Sequence, residues 1–331
     1  MINQIIDAIG KAQQGALYQT IYTGDASGQN EFVCFVKPEL TLLNTGLQHA
    51  KILDIVMEGI KHFGFGIKSI NVLSADYLAK YNIIAQHYGV INSIASNAKA
   101  ALSQGARDKF QSIYGVSVDD ANVLGGIEFG NKFPALSPFA LDVLWQNTGS
   151  QKLAGGTYCA EIKVDGELHY VINGFHSRQL AHFTDAGRSI VVFHLASDIN
   201  WDNARQNFIG TTNPHTAAAG SLRNTFLLRQ AELGIPEVSQ GMNGIHLSAG
   251  PIEGLVELVR FCSDYSQAGK EKTAKDFAFG QALMAAFGDE KTAKILDNCN
   301  VLYDGKMQSV FDITEEKNTA DALQILQSVE L

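Results

Sequence analysis

At 331 residues the chain can hold one large domain or two ordinary ones, and 46% hydrophobic residues with only 6 prolines is the make-up of a core-forming globular protein. A net charge of −9 argues against a surface that coats nucleic acid, while leaving room for a local basic pocket. The four cysteines (Cys34, Cys159, Cys262, Cys299) form no CxxC pair, no apolar run approaches a membrane span, and the first residues lack a signal-like pattern, so a reduced, cytoplasmic protein is expected.

Ile2, Ile5, Ile6 and Ile9 recur at helical spacing, which predicts a short amphipathic packing or interface helix. Residues 23–30 read as a loop, and EFVCFVKPE reads as a strand ending at Lys37-Pro38. A lysine at the end of a buried strand is costly unless it meets a counter-charge, and phosphate is one candidate beside simple exposure. An amphipathic helix over 47–63 follows, then the strand GFGIKSINVLS and a second helix, ADYLAKYNIIAQHY, closed by His87-Tyr88. Gly64-Phe65-Gly66 precedes a strand, which is the wrong setting for a dinucleotide fingerprint.

Residues 90–114 have helical composition, 124–138 are rich in turn signals, PFALDVLWQN predicts a short helix, and 150–156 read as a linker. TYCAEIKVDGELHYVINGF predicts a β-hairpin turning at Asp165-Gly166. His176 and His182 do not have the spacing of a helical metal pair and read as hydrogen-bonding histidines. A strand is predicted over 188–195, and Asp198 is expected to cap a helix that reaches residue 207 and carries Arg205. Beyond residue 261 the chain reads as polar and helical, with packing or oligomer contacts as its expected role.

The stretch 205–251 carries the chemistry. Arg205 and Arg223 flank a turn containing Thr211, Thr212, Asn213 and Pro214, and guanidinium forks match phosphate oxygens at any physiological pH. His246 lies between Gly244 and Ser248, where small residues leave room for a substrate, and Gly250-Pro251 opens a helix, PIEGLVELVRF. An imidazole among phosphate-binding cations can serve as nucleophile, base or hydrogen-bond partner. Ser248 as a hydrolase nucleophile would need glycine two residues earlier, where the chain has His246.

These runs resemble the nucleoside diphosphate kinases. The family has an arginine before a Gly-x-Thr-Asn-Pro run, then Gly-Ser/Thr-Ile/Leu-Arg-x-x-Phe, then Asn-x-x-His-x-Ser at the active histidine. This chain has Arg205 before Gly210-Thr211-Thr212-Asn213-Pro214, then Gly220-Ser221-Leu222-Arg223-Asn224-Thr225-Phe226, then Asn243-Gly244-Ile245-His246-Leu247-Ser248. Val36-Lys37-Pro38-Glu39 and His87-Tyr88 match two further family runs. The resemblance covers about 31–88 and 175–261. It departs at Ala249, where the family has an acid, and at 227–242, which lengthens a connection.

The resemblance implies an α+β fold, a ferredoxin-like four-stranded antiparallel sheet covered by helices. It implies an N-terminal helix and loop (1–30), a discontinuous kinase-like domain (31–88 and 169–264), an inserted mainly helical subdomain (89–168) and a helical C-terminal extension (265–331). His246 would take the γ-phosphoryl group from a nucleoside triphosphate and pass it to a diphosphate, with Mg²⁺ arriving on the nucleotide. Lys37 would contact the terminal phosphate, and Glu257 would orient the imidazole, with Glu253 as the alternative one helical turn earlier. Arg205, Thr212, Arg223, Asn243 and Ser248 would bind phosphate or sugar, Tyr88 would lie near the nucleotide, and Phe175 would stack on the base. Nucleoside di- and triphosphates are thus the expected partners, with a homo-oligomer and no membrane. The alternative is a nucleotide-binding scaffold or sensor that keeps the pocket without efficient turnover.

Overall fold

A computed structural model describes the whole chain, Met1–Leu331, as an α+β protein that divides into two compact units: Met1–Tyr81 with Ala186–Leu331, and Asn82–Asp185. These limits differ from the 89–168 insertion expected: the first falls where the predicted second helix breaks, and the second just after the helix His176–Thr184. Ala75–Lys80 and Ile83–His87 are separate helices because Asn82 takes φ 53, a left-handed conformation that asparagine tolerates better than most residues.

The first unit is built on the strands β1 (Tyr18–Thr23), β2 (Asn30–Val36), β3 (Gly66–Ser74), β4 (Ser189–Ser197) and β5 (Ile245–Leu247), in the order β1-β3-β4-β2-β5. Every neighbouring pair is antiparallel. The sheet therefore has five strands and not four, because the unpredicted β1 adds to the edge of β3. Every residue of β4 is buried, and so is every residue of β2 except Glu31, which explains why both read as continuous apolar runs without alternation.

Helices α1 (Ile2–Gln13) and α2 (His49–His62) cover the sheet with Ile5, Ile9, Ile52, Val56 and Ile60, packed in one core with Phe32, Val72 and Phe193. Burying each such isoleucine contributes about 1.5–3 kcal/mol. Helices α3 (Leu222–Leu228) and α4 (Pro251–Phe261) flank β5 in sequence, and α4 starts with its proline at the first turn, where no N–H is missed. Asp198 caps no helix, because its carboxylate accepts the Gln29 N–H at 2.9 Å. The chain instead turns helical at Trp201–Asn203 and continues as a π-helical turn, Ala204–Ile209, carrying Arg205.

The C-terminal part is not purely helical. Asn300–Tyr303 and Lys306–Ser309 form a hairpin about Asp304-Gly305, whose positive φ values of 49 and 74 suit an Asp-Gly turn. The helix Val310–Thr314 follows, then α5 (Thr319–Gln327). The second unit holds a sheet beside its helices. Val123–Gly125, Gln151–Ala154, Thr157–Val164 and Glu167–Ile172 form a four-stranded sheet, with the hairpin turning at Asp165-Gly166, so the predicted linker contains a strand. All four cysteines are free thiols, and no helix is long and apolar enough to cross a membrane.

Candidate functional site

The residues singled out at 205–251 gather around β5. Its register against β2 pairs Phe35 with His246 and Val36 with Ile245. That pairing stacks the imidazole on Phe35, with ring centroids 4.4 Å apart and 18° between planes. His246 Nε2 lies 2.9 Å from Glu257 Oε1, so the carboxylate at the ring belongs to Glu257 and not to Glu253. Glu257 is fully buried, and its other oxygen accepts from Ser248 Oγ at 2.6 Å. A buried carboxylate is tolerable when its oxygens are satisfied by such charge-assisted bonds.

Ser248 was expected at the substrate, but it is itself fully buried. Its Oγ also accepts the Val33 N–H at 3.0 Å, so it braces Glu257 against β2. Trp201 Nε1 donates to the Ser248 carbonyl at 3.2 Å and ties the start of the π-helical turn to this corner.

The two arginines bracket the histidine. Arg223 donates to the carbonyls of Ile245 at 3.1 Å and Gly210 at 2.8 Å, and Arg205 donates to the carbonyl of Leu247 at 2.9 Å. Carbonyls on both sides of His246 thereby hold a guanidinium each. Lys37 enters from the end of β2, where its Nζ donates to Asn243 Oδ1 at 2.7 Å. The Asn243 amide donates in turn to the Thr212 carbonyl at 3.1 Å, which draws the Thr-Thr-Asn-Pro turn in. Desolvation is the main cause that lowers the Lys37 pKa to about 8 from 10.5.

Glu39 was not singled out from the sequence. It is buried, and its carboxylate accepts the Gly244 N–H at 2.8 Å, fixing the loop that leads into β5. The signal was its place in Val36-Lys37-Pro38-Glu39, although an acid after a strand ordinarily reads as exposed. Gly244 has φ 80, and a Cβ there would stand 2.6 Å from Leu40 Cδ1, so glycine is required on both counts.

One acid near the site also departs from ordinary behaviour: burial first, then the Glu257 charge, raises the Glu253 pKa to about 8. Tyr88, expected near the nucleotide, and Phe175, expected at the base, belong to the second unit. There Tyr88 meets the His176 ring edge-on, and Phe175 packs against Trp145 and Tyr158.

No family model matches the chain, and no curated protein matches it. Among solved structures it is similar to one described as an NDP kinase from Pyrobaculum aerophilum. The identity is 15% and the TM-score 0.33, over 74% of this chain and 99% of that one. A likeness of that degree defines neither the fold nor the activity of this chain.

Proposed function

We propose that this chain is a nucleoside diphosphate kinase-like phosphotransferase, which moves the γ-phosphoryl group between nucleotides through a phosphohistidine on His246. The observation that carries the reading is the bracketing of one imidazole by two guanidiniums anchored on Ile245 and Leu247, the residues on either side of it. The first unit also supports the finer fold expectation. Without β1, the order β3-β4-β2-β5, with α2 between β2 and β3 and α3 between β4 and β5, is the one a ferredoxin-like sheet requires.

With Nε2 held by Glu257, Nδ1 is the nitrogen that attacks the γ-phosphorus. The bond from phosphorus to the bridging oxygen breaks, and the diphosphate leaves with that electron pair. A terminal oxygen of a second diphosphate then attacks the phosphohistidine and returns the imidazole to its starting state. Glu257 keeps the proton on Nε2 and offsets the positive charge that the ring gains while phosphorylated. Lys37, Arg205 and Arg223 neutralise the transferring oxygens, the main task in phosphoryl transfer. Mg²⁺ enters as part of the nucleotide substrate, and the ammonium, guanidinium and amide donors here suit the phosphate oxygens.

Intact mass after incubation with ATP and Mg²⁺ tests this directly. One phosphoryl group should appear, acid-labile and alkali-stable, and be absent from His246→Ala. Equal labelling of that variant would remove His246 from the role.

A further inference from the structure

The C-terminal segment brings a carboxylate, that of Glu316, to the place where the first unit gathers its cations. The turn between Val310–Thr314 and α5 is fastened to the corner between β5 and α4. The Glu316 N–H donates to the Ala249 carbonyl at 2.9 Å, at the position where the family pattern has an acid. The Thr314 carbonyl passes so close to Gly250 that a Cβ there would stand 2.7 Å from it. Asn318 Oδ1 accepts the Trp201 N–H at 3.0 Å and the Asn30 amide at 3.2 Å. The turn is thus docked, and Glu316 adopts φ 56 within it, a conformation disfavoured for a non-glycine residue.

That docking aims the Glu316 carboxylate at the proposed phosphate site. It accepts from Gln206 Nε2 at 3.1 Å and stands 3.8 Å from Arg205 Nε. Arg205 spends Nη1 on the Leu247 carbonyl, and its buried Nε has no hydrogen-bond partner. Arginine takes phosphate through a fork of two N–H groups. The carboxylate stands at the Nε edge without closing the hydrogen bond, which is the position of a group that shares a cation with something else.

We infer that Glu316 is a built-in counter-anion of this site, which an entering phosphate must displace from Arg205 or share it with. The inference rests on the phosphate role proposed for Arg205. Its consequence is a weaker ground-state hold on di- and triphosphates alike. In a two-step exchange that weakness speeds release of the first diphosphate before the second arrives.

Calorimetric titration with pyrophosphate tests it on the full chain, comparing wild type, Glu316→Gln, Arg205→Ala and the double variant at low and high salt. Glutamine keeps the backbone bond and the side-chain length while removing the charge. Glu316→Gln should bind pyrophosphate up to about fivefold tighter, the upper range for a partly exposed ion pair. That gain should vanish on the Arg205→Ala background and shrink as salt rises. Equal affinity in wild type and Glu316→Gln, with binding that depends on Arg205, overturns the inference and leaves the phosphate site standing. A gain that survives without Arg205 overturns it too. Pyrophosphate that binds wild type no better than Arg205→Ala removes the phosphate reading itself.

Discussion

Lys37 is the residue at which the fold works against its own charge. Desolvation at the end of β2 lowers its pKa to about 8 from 10.5, Glu39 opposes that shift, and Arg223 adds to it. Lys37→Met keeps an unbranched apolar stem and removes the ammonium. Below pH 8 the lysine is charged in folded and unfolded chains alike, and the folded state bears the whole desolvation cost. Between about 8 and 10.5 the folded lysine loses its proton first, so the cost fades, and above 10.5 neither state is charged. Wild type should therefore gain stability relative to Lys37→Met as pH rises from 7 to 10. The depression, 10.5 − 8 = 2.5 pH units, corresponds to about 3 kcal/mol. Water reaching this half-buried side chain reduces it to about 1.5 kcal/mol. Loss of the bond to Asn243 weighs on the variant at either pH and cancels in the comparison. Urea denaturation of both proteins at pH 7 and pH 10 measures the change, and a stability gap that stays constant refutes the reasoning. In activity the proposed function gives the opposite sign, since there the ammonium would contact phosphate: kcat/KM should fall as pH rises through about 8.

Three further outcomes follow from the site. Glu257→Gln should lower turnover by about ten- to a hundredfold, the usual loss when the partner that orients an imidazole is replaced; an unchanged exchange rate between ATP and a second diphosphate would separate Glu257 from the chemistry. Arg223→Ala should reduce turnover by roughly 10²–10³, with a smaller loss of diphosphate affinity by calorimetry. If wild type binds nucleotide yet exchanges no faster than His246→Ala, the chain is a scaffold. Gly244→Ala should cost about 1–3 kcal/mol, because it strains a positive φ and drives a Cβ against Leu40; an unaltered thermal melt would show that the loop into β5 yields easily.

Much of the local architecture can be read from neighbours along the chain. Apolar period predicts α2 within two residues of each end, the run from 66 predicts β3, Asp165-Gly166 marks the hairpin of Thr157–Val164 and Glu167–Ile172, and Gly250-Pro251 marks the start of α4. These features depend on side-chain spacing and turn chemistry within about a dozen residues, which a sequence displays directly. The break at Asn82 is equally local, but the composition around it favours helix and outweighs a single turn residue; the Asp304-Gly305 hairpin carries the same local turn signal as the one at Asp165-Gly166. The same holds for the site. His246, Arg205, Arg223 and Lys37 stand out because their residue types suit phosphate, and Glu257 through the family resemblance, which places a glutamate at that distance after the histidine.

Tertiary structure alone decided how those groups are held and opposed. The register of β2 against β5 set Phe35 under the imidazole, and the burial of Ser248 turned an expected ligand contact into a brace for Glu257. Folding also brought Glu39 to the Gly244 N–H, 205 residues away in sequence, and Glu316 to Gln206, 110 residues away. Apart from the run Val36-Lys37-Pro38-Glu39, neither acid has a neighbour in sequence that distinguishes it from a solvated surface charge. Whether a carboxylate meets water, an N–H or a guanidinium depends on which distant segment packs against it, and only the folded chain determines that.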